Sequence, residues 1–204
     1  MPPIESTLTV LALWAVLGYA LGTIPFGIVL SRVMNLGDLR QIGSGNIGAT
    51  NVLRTGNKTA AALTLLLDAA KGAAALLLAR WITGQEDAAQ IAGVAAMIGH
   101  CYPVWLRFKG GKGVATFIGL MLALHWPVGI GVCVAWLLGA GLWRMSSMGA
   151  LVAAAASTFL MVFLGFGQAI LMGVALTLLI FWRHRENIRR VKAGTEPKIG
   201  QKTA

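Results

Sequence analysis

The sequence predicts an all-α polytopic membrane protein of about seven transmembrane helices, with polar cytoplasmic loops forming its working site. Three observations lead there. First, the 204 residues are 57% hydrophobic and only 12% charged, against about 25% charged in a soluble domain. Second, the apolar residues gather into runs of membrane-crossing length, with 1–204 reading as one membrane domain. Third, the cations are not spread evenly: they cluster at Arg32 to Lys58, Arg107 to Lys112 and Arg183 to Lys202.

The first apolar run, about 7–31, follows the acidic Glu5 and outlasts a signal h-region. It reads as a retained helix rather than a cleaved leader. Further runs cover about 59–81, 88–105, 114–126, 127–143, 148–164 and 167–182. The fourth is short for a crossing of roughly 20 residues, and Trp126-Pro127 ends it with a turn or kink. Runs four and five form a tilted hairpin, a partly re-entrant pair or one bent span. With two separate spans, the loops around 43–58 and 106–113 and the carboxy-terminal tail fall on one face. All but two of the 17 lysines and arginines, Lys71 and Arg80, then lie on that face. Lys and Arg prefer cytoplasmic loops, so the amino terminus is expected outside and the carboxy terminus inside. Merging the two runs would put the tail's cations outside, which argues against it. Many Gly and Ala residues in the runs suit close helix approach in lipid.

Composition also excludes. Net charge is +10, but the basic clusters are short and almost free of aromatics, so nucleic acid is not an expected partner. Cys101 and Cys133 lack C-x-x-C spacing and lie in apolar runs, as small core residues do. The seven carboxylates are scattered and the histidines isolated, so neither metal nor other cofactor is expected.

GSGNIGATNVLRTGNK, 43–58, contains G-x-G-x-x-G with Asp68 twenty positions past Gly48. A dinucleotide site needs a strand before that motif and a βαβ unit around it. Here a membrane helix precedes it and Asp68 lies in an apolar helix, so that reading fails. The chemistry still suits an anion. Glycines bring backbone N–H groups close, Ser44, Asn46, Thr50 and Asn51 offer donors, and Arg54 can grip a phosphate by two parallel hydrogen bonds. The alternative is a flexible loop with a topology-setting arginine.

RFKGGKGVAT, 107–116, places Lys109, Gly110, Gly111, Lys112 and Gly113 directly before an apolar helix. Exposed N–H groups at a helix start bind anions, and Lys112 adds a full charge. Gly113 follows the lysine where a P-loop has Ser or Thr, and no strand precedes. A phosphate cradle without nucleotide hydrolysis fits better than a P-loop or a simple basic turn. In HRENIRRVKAGTEPKIG, 184–200, His184 and Asn187 stand three apart and would share a helix face. The surrounding arginines suit a positive-inside anchor. Glu196, before Pro197, either pairs structurally with a cation or takes part in chemistry.

Asp68 and Lys71 stand three apart within the second run, where lone charges are costly. They are expected to pair and support the polar cluster, with ion or proton transport the rival reading. His100 either lines the site or satisfies a local hydrogen bond, while His125, beside Trp126, reads as interfacial on the far face.

GSGNIGATNVLR, the D-x-x-K-G of run two, GHCYPVWLRFKGGKGVAT, and HRENIRR followed by GTEPKIG together resemble the PlsY family of bacterial acyl-phosphate:glycerol-3-phosphate acyltransferases. The likeness covers nearly the whole chain in order, spacing and hydropathy. It implies transfer of an acyl group from acyl phosphate to the 1-hydroxyl of glycerol 3-phosphate, the first acylation of phospholipid synthesis, in the bacterial inner membrane. It also implies functional roles for Ser44, Arg54, Lys112 with its glycines, His184 and Asn187, and a structural one for Glu196. The H-x-x-x-x-D acyltransferases are not matched, because no aspartate stands four or five residues after His100, His125 or His184; acyl-CoA is not an expected donor.

Acyl phosphate is already activated, so no covalent nucleophile is needed and catalysis can rest on positioning and charge stabilisation. Lys112 and the 110–113 backbone are expected to hold the acyl phosphate. Ser44, Arg54 and Asn187 are expected to hold glycerol 3-phosphate. His184 orients the hydroxyl or acts as base; a substrate phosphate oxygen is the other candidate base. An anion carrier is the rival from another class, but it would need a matching site on the outer side.

Overall fold

A computed structural model describes residues 2–200, and the last cation of the third basic cluster, Lys202, lies outside them. Every regular element among the described residues is helical. In chain order the α-helices are α1 Leu8–Gly22, α2 Phe26–Val33, α3 Ala49–Val52, α4 Lys58–Thr83, α5 Glu86–Cys101, α6 Val114–Leu124, α7 Trp126–Trp143, α8 Ser146–Phe163, α9 Ile170–Arg183 and α10 Arg185–Lys192. The helices sort into two compact units, one ending at Leu124 and one beginning at His125.

The apolar runs become helices close to their expected bounds, for local reasons. Asn57 starts α4 by accepting a hydrogen bond from the Ala60 amide through Oδ1, and Gly84 ends it in the left-handed conformation at φ 70°. Trp126-Pro127 stops α6 at Leu124; the proline then occupies the first turn of α7, where its missing N–H costs nothing. The first run departs from expectation. It is one stretch of apolar residues but two helices, interrupted at Thr23 to Pro25.

Among the described residues, four stretches are long and apolar enough to cross a membrane: Leu8–Val33, Lys58–Thr83, Trp126–Trp143 and Ser146–Phe163. Gly167–Arg183 with Arg185–Lys192, bent by 58°, makes a fifth if the pair is one span. The α5 helix has 16 residues and α6 has 11. At about 1.5 Å per residue α6 is roughly 16 Å long, about half the bilayer's hydrocarbon thickness. Seven helical runs are present, but length alone does not carry a count of seven crossings.

In the amino-terminal unit α1 packs on α5, and α4 packs on α5 and α6. The contacts are made at small residues. A Cβ at Gly22 would lie 2.0 Å from the Ala96 carbonyl oxygen, and one at Gly119 2.1 Å from that of Ala69. Between helices in lipid, apolar transfer gives little drive, so this backbone-to-backbone fit supplies the packing energy. The unit's ends are tied by polar groups. Asp87 accepts from the Glu5 and Ser6 amides and the Ser6 hydroxyl. Arg80 donates to the last carbonyls of α6, at Ala123 and Leu124, and pairs with Glu86 at 2.6 Å. In the carboxy-terminal unit α7 packs on α8 and α8 on α9.

Candidate functional site

The amino-terminal unit holds the first two polar blocks. Gly43 and Gly45 take positive φ, 52° and 65°, and fold 43–48 into a tight loop before α3. At Gly43 a Cβ would come within 2.5 Å of the Arg54 side chain, so glycine lets Arg54 lie across the loop. Arg54 and Asn46 are half-buried; Ser44 and Thr50 are exposed. Asn51 is buried and faces inward. Its Nδ2 donates to the Leu39 carbonyl at 2.9 Å, and its Oδ1 accepts from the Ser44 amide at 3.3 Å. Asn51 therefore shapes the loop instead of offering its amide to an anion.

The second block is a rigid turn on the end of α5. Arg107 and Phe108 both hold left-handed conformations, φ 51° and 60°, which cost energy in residues other than glycine. The Gly110 amide donates to the Cys101 carbonyl and the Gly111 amide to the His100 carbonyl, each at 3.1 Å. Of the 110–113 backbone expected to hold phosphate, the N–H groups of Gly110 and Gly111 are directed to α5. Arg107 to Lys109 are the exposed part of the loop; Lys112 is half-buried and is followed by Gly113 at φ 82° and the start of α6. Arg40 donates from Nη2 to the carbonyl of Lys109, linking the first block's approach to the second block. The sequence reading gave Arg40 no such part. Its only signal there was membership of the first basic cluster.

Asp68 and Lys71 form the expected pair, Nζ to Oδ1 2.7 Å, both buried. Lys71 also donates to the Ile24 carbonyl at 2.6 Å, inside the break between α1 and α2. The Nδ1 atom of His100 lies 3.7 Å from the same Asp68 oxygen. His100 is buried, with its ring under Gly111.

The carboxy-terminal unit holds the third block. His184 and Asn187 do not share one straight helix: His184 stands at the bend between α9 and α10, and Asn187 in the first turn of α10. Both are buried. The Nδ1 atom of His184 is 2.8 Å from the Ile180 carbonyl. A carbonyl only accepts, so Nδ1 carries the proton, and in the neutral ring Nε2 keeps its lone pair. Glu196 folds back on α10. Its Oε1 accepts from Asn187 Nδ2 and from the Ser147 hydroxyl, both at 2.7 Å, and its Oε2 pairs with Arg190 Nε at 2.7 Å. Burial alone would raise the Glu196 carboxyl; the hydrogen bonds from Ser147 and Asn187 and the Arg190 charge hold it below the usual carboxylate range. Of the two roles open to Glu196, this geometry favours the structural one, as brace for Asn187. No sequence motif marked Ser147. Among the described residues, no group of three or more His, Cys, Asp or Glu could hold a metal ion.

Comparison with known proteins gives the chain its family. Residues 12–194 match the family model described as glycerol-3-phosphate acyltransferase. The chain is 67% identical over 204 residues to a protein of that name from Ruegeria pomeroyi, covering 100% of both. It is 68% identical over 199 residues to another from Roseobacter denitrificans, covering 98% of this chain and 99% of that one. Two crystal structures of PlsY (YgiH), an integral membrane glycerol 3-phosphate acyltransferase, are similar at 36% identity over 93% of this chain, and cover 96% and 95% of theirs. Their TM-scores are 0.86 for the glycerol 3-phosphate form and 0.85 for the lysophosphatidic acid form. The motifs, the membrane helices and these likenesses agree: the chain belongs to the glycerol-3-phosphate acyltransferase family.

Proposed function

We propose that the chain moves an acyl group from acyl phosphate to the 1-hydroxyl of glycerol 3-phosphate, giving lysophosphatidic acid and inorganic phosphate. The observation that carries the reading is the 36% identity, over nearly the full chain, to crystal structures of glycerol 3-phosphate and lysophosphatidic acid forms. In the reaction the hydroxyl oxygen attacks the acyl carbonyl carbon, the bond from that carbon to the phosphate oxygen breaks, and phosphate leaves with its electron pair.

The donor's phosphate goes to Lys112, with Lys109 adding charge. The Gly110 to Gly113 turn serves by presenting the Lys112 ammonium. A fixed cation at the departing phosphate stabilises charge that grows in the transition state. Glycerol 3-phosphate goes to Arg54, Ser44, Asn46 and Thr50, with Asn187 as a further donor. Asn187 is oriented by Glu196, since an amide that donates to one carboxylate oxygen keeps its second N–H and its carbonyl in a fixed direction. His184 has the tautomer that a base or hydroxyl-orienting group needs, with Nε2 as acceptor. The proton goes to that nitrogen or to a substrate phosphate oxygen. His184→Ala with near-normal kcat would remove the histidine from the base role.

The working loops are assigned to the cytoplasmic side of the bacterial inner membrane, with the amino terminus outside. A chain-bearing donor reaches the loops from lipid, and a water-soluble acceptor from the cytoplasm. Purified protein in detergent, given acyl phosphate and glycerol 3-phosphate, should release phosphate and lysophosphatidic acid without added metal or acyl-CoA. An anion carrier shows activity only across a sealed membrane, so turnover in detergent separates the two classes. No turnover with acyl phosphate would overturn the reading.

A further inference from the structure

We propose that His100 is a positioning residue for the acyl-transfer reaction: its ring is the template on which the Lys112 loop is moulded, held from below by the buried Asp68–Lys71 pair. The proposal rests on the assignment of Lys112 to the donor phosphate.

Four observations meet at this residue. The His100 carbonyl accepts from the Gly111 amide, and the neighbouring Cys101 carbonyl accepts from the Gly110 amide. The loop is thereby fixed to the end of α5 at two successive peptides. The ring then fixes how closely the loop sits. A Cβ at Gly111 would lie 2.2 Å from His100 Nε2, 2.9 Å from Cε1 and 3.2 Å from Cδ2. Those distances span one ring, so Gly111 rests against the imidazole with no side chain between them. On its other side the ring's Nδ1 is 3.7 Å from Asp68 Oδ1, and Asp68 is held by Lys71 at 2.7 Å. Lys71 in turn is anchored to the Ile24 carbonyl. Asp68, Lys71, His100 and Gly111 are all buried, and Lys112 is half-buried.

The stack gives a cation the one property a flexible lysine lacks. An ammonium on a four-carbon stem is a mobile charge, and its contribution to a departing phosphate depends on where its backbone is pinned. Gly111, immediately before Lys112, is pinned from two directions by one residue: its amide by the His100 carbonyl, its Cα by the His100 ring. His100 acts through Gly111 on Lys112 and is not assigned any contact with substrate. It also accounts for Gly111 by contact alone, since this glycine's φ is not in the left-handed region.

The test uses the full chain in detergent with three variants: Gly111→Ala, His100→Ala and the double variant. Gly111→Ala should lower kcat/KM for acyl phosphate by about a hundredfold, because the new methyl meets the ring. His100→Ala should raise the donor KM by about tenfold and leave the glycerol 3-phosphate KM within about twofold. The double variant carries the decisive result. With the ring removed the methyl has room, so its activity should recover to about that of His100→Ala, roughly tenfold above Gly111→Ala. If the two losses multiply, or if His100→Ala lowers kcat while both KM values stand, the proposal is overturned. Should His100→Ala fail to fold, His100→Ser, which also vacates the ring's volume, is paired with Gly111→Ala under the same criteria. Lys112→Met separates the two readings. If it leaves the donor KM unchanged, the Lys112 assignment fails. If it raises the donor KM while positions 100 and 111 are uncoupled, only the present inference fails.

Discussion

At Glu196 one carboxylate accepts from a hydroxyl, an amide and a guanidinium, all at 2.7 Å. Replacing it by Gln removes the charge and leaves one donor facing an NH2 group. That should cost about 1–3 kcal/mol, read as a lower Tm in detergent. The sign with pH follows from the depressed carboxyl. Its stabilisation is complete above the ordinary glutamate value of about 4.3 and is lost as pH falls through the lower folded value. The Tm gap between the wild type and Glu196→Gln should therefore narrow on acidification below about pH 4; a gap independent of pH would place the effect elsewhere. Activity of the variant should fall with stability, because Asn187 loses its brace. The candidate residues themselves were legible because each is a polar group in an otherwise apolar chain. What they do locally was not. Whether Asn51 points at a ligand or at the Leu39 carbonyl is decided by a contact twelve residues away, and Gly110 reads the same in sequence whether its N–H faces phosphate or Cys101.

Among the elements, α6 bears the Lys112 loop at its start and is an apolar helix of only 11 residues. Its position is fixed along its length by α4 and at its end by Arg80. Gly119→Val should cost about 3 kcal/mol or more, since the Cβ alone would meet the Ala69 carbonyl oxygen at 2.1 Å. Gly141→Ala in α7, where nothing lies within 4 Å, should leave Tm within about a degree or raise it slightly. If the two glycine variants lose the same stability, close packing is not what α6 depends on. Arg80→Ala removes the donors to Ala123 and Leu124 and the ion pair with Glu86. It should lower Tm while kcat at low temperature stays within about threefold, as the group caps the end of α6 remote from Lys112. Helix bounds were readable to within a few residues because the apolar runs have sharp ends and Trp126-Pro127 marks one of them. The break at Thr23 to Pro25 was missed, because an unbroken apolar run hides a proline's local effect.

For the molecule as a whole, the topology assignment predicts that Lys58→Cys and Lys192→Cys react with a charged maleimide only from the cytoplasmic side. Gln85→Cys should react only from outside. Any one labelled from the wrong side would overturn the orientation derived from the cations. Class was open to sequence reasoning because it follows from sums over many residues. The number of crossings was not, because α5 and α6 fall below the length that decides it. The Lys71 ammonium seated on the Ile24 carbonyl has an evolutionary reading. A lineage in which position 71 drifts to leucine leaves the buried Asp68 carboxylate without its cation, and one whose first helix heals into a continuous rod takes from the ammonium its acceptor at Ile24. Either change alone is selected against, so the lysine and the interruption in the first run should be inherited, or abandoned, as one character.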